Sequence, residues 1–116
     1  MSKPVLNTTA ALEMLDGEVE LYCDLLTAYH DEEKFSAAEI YKLIDAGKQM
    51  EAGSQIHRLK GASATIGAES LQEVCQQAER ILRGKEEGDA MPLIPIIEER
   101  FQLLIPEIEK ALQKLQ

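Results

Sequence analysis

Between residues 18 and 46 the chain contains neither glycine nor proline. Within that stretch Val19, Tyr22, Leu25, Leu26, Tyr29, Ala37, Ile40, Leu43 and Ile44 recur three or four residues apart, with Phe35 or Ser36 carrying the pattern across a dip in apolar character. Side chains at that spacing share one face of an α-helix. The pattern predicts one long helix, bent around residues 30–33 and ended by Gly47. Asp16 is the expected N-cap, with Glu18 and Glu20 favourable near the positive end. A helix with one apolar stripe must bury it against other helices.

The rest of the chain supplies them. A short link at Gly47 and Lys48 leads to a helix running to about Thr65, with Ile56, Leu59, Ser63 and Ile66 as its core face and Gly67 as a left-handed stop. Residues 68–83 place Leu71, Val74, Cys75, Ala78, Ile81 and Leu82 on one stripe. After a polar loop, Asp89 can cap a last helix carrying Ile97, Phe101, Leu104, Ile105, Ile108 and Leu112 on one face. Pro92 suits a first turn, and Pro95 requires the regular helix to begin near Ile94. Pro106 predicts a kink, with the Gln102 carbonyl lacking its helical donor. At the other end, Asn7 or Thr8 can cap a short helix, T-T-A-A-L-E-M-L, preceded by an irregular arm over residues 1–7. No strand alternation and no internal repeat interrupts this. Short links make successive helices antiparallel neighbours. The expected fold is therefore all-α: one domain over residues 1–116, an antiparallel four-helix bundle with a short extra N-terminal helix.

The formal net charge is −9. Such acidity argues against nucleic acid and against an anionic membrane surface as partners. No apolar run approaches the length of a membrane span and no charged-then-apolar leader opens the chain, so a cytoplasmic monomer is expected. Cys23 and Cys75 are far apart and lack C-x-x-C spacing, and each is expected to be a buried reduced thiol. His30 and His57, with scattered carboxylates, show none of the spacings of zinc or iron sites. There is no G-x-x-x-x-G-K-[ST] loop. Neither a metal site nor a cofactor is expected in the chain.

One stretch stands out chemically. Residues 56–67 read I-H-R-L-K-G-A-S-A-T-I-G. On a helix His57, Lys60, Gly61 and Ala64 lie on one side, with Gly53 and Ser54 one turn earlier. Gly61 costs about 1 kcal/mol relative to Ala in a helix interior. Glycine is tolerated at such a position when something must approach the backbone closely. An isolated helical His is usually an exposed residue without a role, and His30 fits that description. His57 differs, because small residues surround it and Arg58 and Lys60 place two positive charges beside it on an acidic chain.

H-x-x-K-G, followed by small residues and Gly67, resembles the signature of histidine-containing phosphotransfer (HPt) domains. The resemblance covers roughly residues 17–83. It implies a helical bundle that carries a phosphoryl group on one exposed His in multistep phosphorelays of two-component systems. Carried onto this chain, it makes His57 the phosphoacceptor, Lys60 the cation that offsets phosphoryl charge, and Gly61 the opening that gives access. It makes Gly53, Ser54, Arg58 and Ala64 the surface met by a response-regulator receiver domain. Partners would be receiver domains and a hybrid sensor kinase, with the Mg2+ ion on the receiver. The residue type suits the chemistry: an unperturbed imidazole, pKa ~6.5, keeps a nucleophilic nitrogen at neutral pH. Nε2 is the expected attacking atom, since Nδ1 lies close to the helix. One position departs from the family pattern. Many members carry a Gln on the next helix near the active His, where this chain has Glu79, and a carboxylate there would repel a phosphoryl group. Two other readings remain open: a helical interaction module without chemistry, and the phosphoacceptor domain of a larger hybrid sensor kinase.

Overall fold

The computed structural model describes residues 3–116. Six α-helices follow one another: α1 (Thr8–Met14), α2 (Val19–Glu32), α3 (Ala37–Asp45), α4 (Gln49–Ile66), α5 (Glu69–Leu82) and α6 (Ile94–Leu115), the last entered through a 3-10 turn at Met91–Leu93. The described residues contain no strand.

The expected long helix over residues 18–46 is two helices. Glu33 is extended (φ −78°, ψ 139°) and ends α2. Ser36 then caps α3, its hydroxyl accepting a bond from Glu39 N at 3.3 Å. The Ala37 amide donates to Glu98 Oε1 of α6 at 3.2 Å, so a side chain from across the bundle satisfies a second orphan donor. Asp16 is not the cap of α2. It takes a left-handed conformation (φ 55°) and turns the chain with Gly17, while Glu18 stands at the N-cap without a side-chain bond. Asp tolerates that conformation better than most residues.

The expected arm begins with two residues that lie outside the described ones. From Pro4 onward the arm is strapped to the α4–α5 turn. The Ser70 amide donates to the Pro4 carbonyl at 3.0 Å, and the Asn7 amide donates to the Gly67 carbonyl at 2.8 Å. Asn7 also caps α1, its Oδ1 accepting from Ala10 N, and its Nδ2 donates to Glu69 Oε2. Gly67 is required twice over. Its φ is +83°, and a Cβ there would lie 2.6 Å from the Asn7 carbonyl oxygen.

In the last helix the regular turns begin at Ile94, as Pro95 requires, and the helix runs unbroken through Pro106. The N-cap of the preceding 3-10 turn is Ala90, and Asp89, one residue earlier, accepts from the Met91 amide at 3.0 Å. The apolar stripes converge on one core, where Tyr22, Leu26, Ile40, Ile56, Ile66, Leu71, Ile94, Ile97, Leu104 and Ile108 are fully buried. α4 packs on α5, α2 and α3, and α6 packs on α2, α3 and α5. Two tyrosines of α2 fix α4 in place. Tyr22 Oη donates to the Ile66 carbonyl at 2.8 Å, and Tyr29 Oη shares a 3.0 Å bond with the buried Ser63 hydroxyl. Ser63 can therefore sit in an apolar stripe without an unsatisfied group. Cys23 and Cys75 are buried free thiols, and burial pushes Cys75 up to about 12.

Candidate functional site

α4 is held on three sides, so one stripe of it remains open. Along that stripe Ser54, His57, Arg58 and Gly61 are exposed and Ala64 is half-buried. The His57 side chain is 57% exposed. No heavy atom lies within 4 Å of a Cβ built on Gly61, so the space beside the imidazole is empty.

Beneath the imidazole, α5 presents Glu79, whose side chain is 10% exposed. Its Oε2 accepts from His57 Nδ1 at 2.8 Å. Its Oε1 lies 2.8 Å from Lys60 Nζ, and Arg83 Nε lies 3.4 Å from Oε2. Burial pushes the Glu79 carboxyl up, but the Lys60 ammonium and the His57 imidazole outweigh it, and the group sits below its ordinary value. Ionised, it can only accept, so His57 Nδ1 carries the proton, and in the neutral ring Nε2 is the nitrogen with the lone pair. Among the described residues nothing is hydrogen-bonded to Nε2. One ring nitrogen is anchored to a fixed carboxylate and the other is open to solvent, an arrangement that can serve nucleophilic chemistry.

One expected site residue takes a different place. Gly53 does not lie open on the surface. It is buried, and a Cβ on it would come within 3.1 Å of Arg83 Cγ, so the Arg83 stem lies across its backbone. Arg83 then reaches Ser54, with Nη2 donating to Oγ at 3.2 Å. Arg58 lines a depression with Lys34, Phe35, Ser36 and Gln55, at the α2–α3 link. Lys60 is paired with Glu79. Arg83 was invisible as a site residue, although its spacing of four from Glu79 is the spacing of a helical ion pair.

His30 has a different environment. Its Nδ1 meets Asp31 Oδ1 at 3.1 Å and its Nε2 meets Glu109 Oε2 at 2.8 Å, so both ring nitrogens are occupied. Among the described residues no group of His, Cys, Asp and Glu could hold a metal ion, and no helix is long and apolar enough to cross a membrane.

A family model described as the Hpt domain matches residues 24–116. No curated protein and no solved structure matches the chain. The matched stretch takes in all of α3 to α6, with His57 and Glu79 inside it, and Hpt domains take part in histidine phosphotransfer and interact with the receiver domains of response regulators. The chain belongs to the Hpt domain family.

Proposed function

We propose that the chain is a phosphorelay intermediate that accepts a phosphoryl group on His57 from the aspartyl phosphate of a receiver domain and passes it to a second receiver. The observation that carries this reading is the division of labour on the ring: Nδ1 bound to Glu79, Nε2 unbound in an exposed side chain. The Nε2 lone pair attacks phosphorus. The N–P bond forms as the P–O bond to the receiver's aspartate breaks, and the aspartate leaves as a carboxylate. The proton stays on Nδ1, where Glu79 offsets the positive charge of the phosphorylated ring. In the reverse step a receiver carboxylate attacks phosphorus and the neutral imidazole leaves.

Such a transfer is largely positioning and charge stabilisation. Lys60 supplies charge to the phosphoryl oxygens, and Gly61 leaves room for them and for the partner's loops. Ser54, Arg58, Gly61 and Ala64 border the docking face. The divalent metal belongs to the receiver. Counting α2 and α3 as one member beside α4, α5 and α6 gives an antiparallel four-helix bundle, with α1 at one end. The test is incubation with a receiver domain phosphorylated by acetyl phosphate. Acid-labile, base-stable phosphate should appear on this chain and be absent from the His57→Gln variant; equal labelling of that variant would refute the assignment.

A further inference from the structure

A carboxylate beneath a phosphoryl acceptor is unfavourable on its face, because Glu79 and the incoming group are both anionic. Lys60 lies 2.8 Å from Glu79 Oε1, so the carboxylate offsets much of the positive field that Lys60 presents to the phosphoryl oxygens. The structure contains a second cation. Arg83 lies four residues beyond Glu79 on the same side of α5, with Nε 3.4 Å from Oε2. Its placement depends on two small residues of α4: Gly53, whose bare backbone lets the stem cross, and Ser54, whose hydroxyl accepts from Nη2. Both precede His57 by about one turn, so the guanidinium is held beside the acceptor on the same side of α4.

The contact is one of charge more than of aligned hydrogen bonding. Arg83 Nε is buried, 3.4 Å from Glu79 Oε2, and has no aligned hydrogen-bond partner among the described residues. An ion pair of that kind can turn toward a new anion without giving up an ideal geometry. Glu79, Lys60 and Arg83 together carry −1, +1 and +1, so the site is net +1 with a neutral imidazole. A site with a neutral amide in place of the Glu79 carboxylate and no cation in place of Arg83 would also be net +1, from Lys60 alone.

Resting on the phosphorelay reading of His57, we infer that Arg83 is a charge-compensating positioning residue: it restores the positive field that Glu79 removes, and the two residues act as a pair. Gly53 and Ser54 are part of the same device, because they form the track that holds the guanidinium.

Phosphoramidate, a small donor that phosphorylates imidazole without a docking partner, isolates the charge effect. Rates of His57 phosphorylation are measured for the parent, Arg83→Gln, Arg83→Lys, Glu79→Gln and the double variant Glu79→Gln/Arg83→Gln, with a thermal melt for each. Arg83→Gln should slow phosphorylation by about tenfold, the size expected of one charge several ångströms away in a partly solvated site. Arg83→Lys should keep most of the rate. The double variant should recover most of it, because the amide oxygen introduced by Glu79→Gln still accepts from Nδ1 and the net charge returns to +1. A merely structural Arg83 would lower the melting temperature without that recovery. Parent-like rates in Arg83→Gln, or a double variant slower than Arg83→Gln, would overturn the pairing and leave the phosphorelay reading standing. A parent chain that takes up no phosphate from either phosphoramidate or a phosphorylated receiver would overturn both.

Discussion

The two histidines of this chain each rest against a carboxylate at 2.8 Å, yet they are opposite kinds of site. His57 offers Nδ1 to Glu79, a buried group that Lys60 and Arg83 hold in place, and leaves Nε2 free. His30 offers Nε2 to Glu109 and Nδ1 to Asp31, both well exposed, and has no nitrogen left for chemistry. Proximity of imidazole and carboxylate is therefore not what marks a nucleophile. What matters is which nitrogen is anchored, how rigid the anchor is, and whether the space beyond the other nitrogen is empty. One turn from His57, Gly61 adds no side chain, and a Cβ built there meets nothing within 4 Å.

The largest effect that could break this contrast is exchange of the histidines themselves. His57→Gln should reduce phosphate uptake from a phosphorylated receiver to background, while His30→Gln should keep it near the parent rate, as read by acid-labile label on the chain. Next is Gly61→Arg. It should block transfer from a receiver by bulk and yet raise helix stability by up to about 1 kcal/mol, since glycine is the poorer helix former and nothing lies within reach of the new Cβ. Melting and transfer should move in opposite directions; normal transfer would mean that the docking face lies elsewhere.

A smaller difference separates the two anchors. Glu79→Leu strips the partner from two half-buried cations and should destabilise the fold by roughly 1–3 kcal/mol in denaturant titration. Glu109→Ala, at a solvent-exposed contact, should stay within about 0.5 kcal/mol of the parent. A loss at Glu109 as large as that at Glu79 would erase the distinction. The smallest effect is in pH dependence, and there Glu79 and His30 differ in sign. Glu79 sits below its ordinary value, so its contribution is complete above the usual carboxylate range and fades as pH falls through the lowered value. His30 is raised, by hydrogen bonds to Glu109 and Asp31. Its contribution is complete below the ordinary imidazole value of ~6.5 and fades as pH rises through the raised one. Stability differences between parent and Glu79→Gln should thus shrink toward acid, and those between parent and His30→Gln toward alkali.

Much of this was legible in the residues, and the exceptions have physical causes. The stripes of α4, α5 and α6 and the stop at Gly67 follow from spacing and from the need for a left-handed residue. The break between α2 and α3 was also written in the chain, as Ser36 three residues before Glu39, an S-x-x-E cap signal. The absence of glycine and proline across residues 18–46 masked it, because a capped extended link needs neither. Glu79 could be located by spacing, but its meaning could not. Whether a carboxylate there is harmful depends on where the long Arg83 side chain lies, and that depends on the bare backbone of Gly53. Gly53 read as an open docking position for the same reason: sequence shows a missing side chain but not the neighbour that uses the space. The double occupancy of His30 rests on Glu109, far along the chain on another helix, which no local pattern reveals.

The central claim concerns one atom, and 15N–31P coupling can observe it. The chain is labelled with 15N at its two histidines, phosphorylated by a receiver domain and examined by NMR at alkaline pH, where phosphohistidine persists. The account predicts a single one-bond coupling at Nε2 of His57, with Nδ1 still showing the shift of a hydrogen-bonded N–H. Phosphorus bonded to Nδ1 of His57, or to either nitrogen of His30, would contradict it.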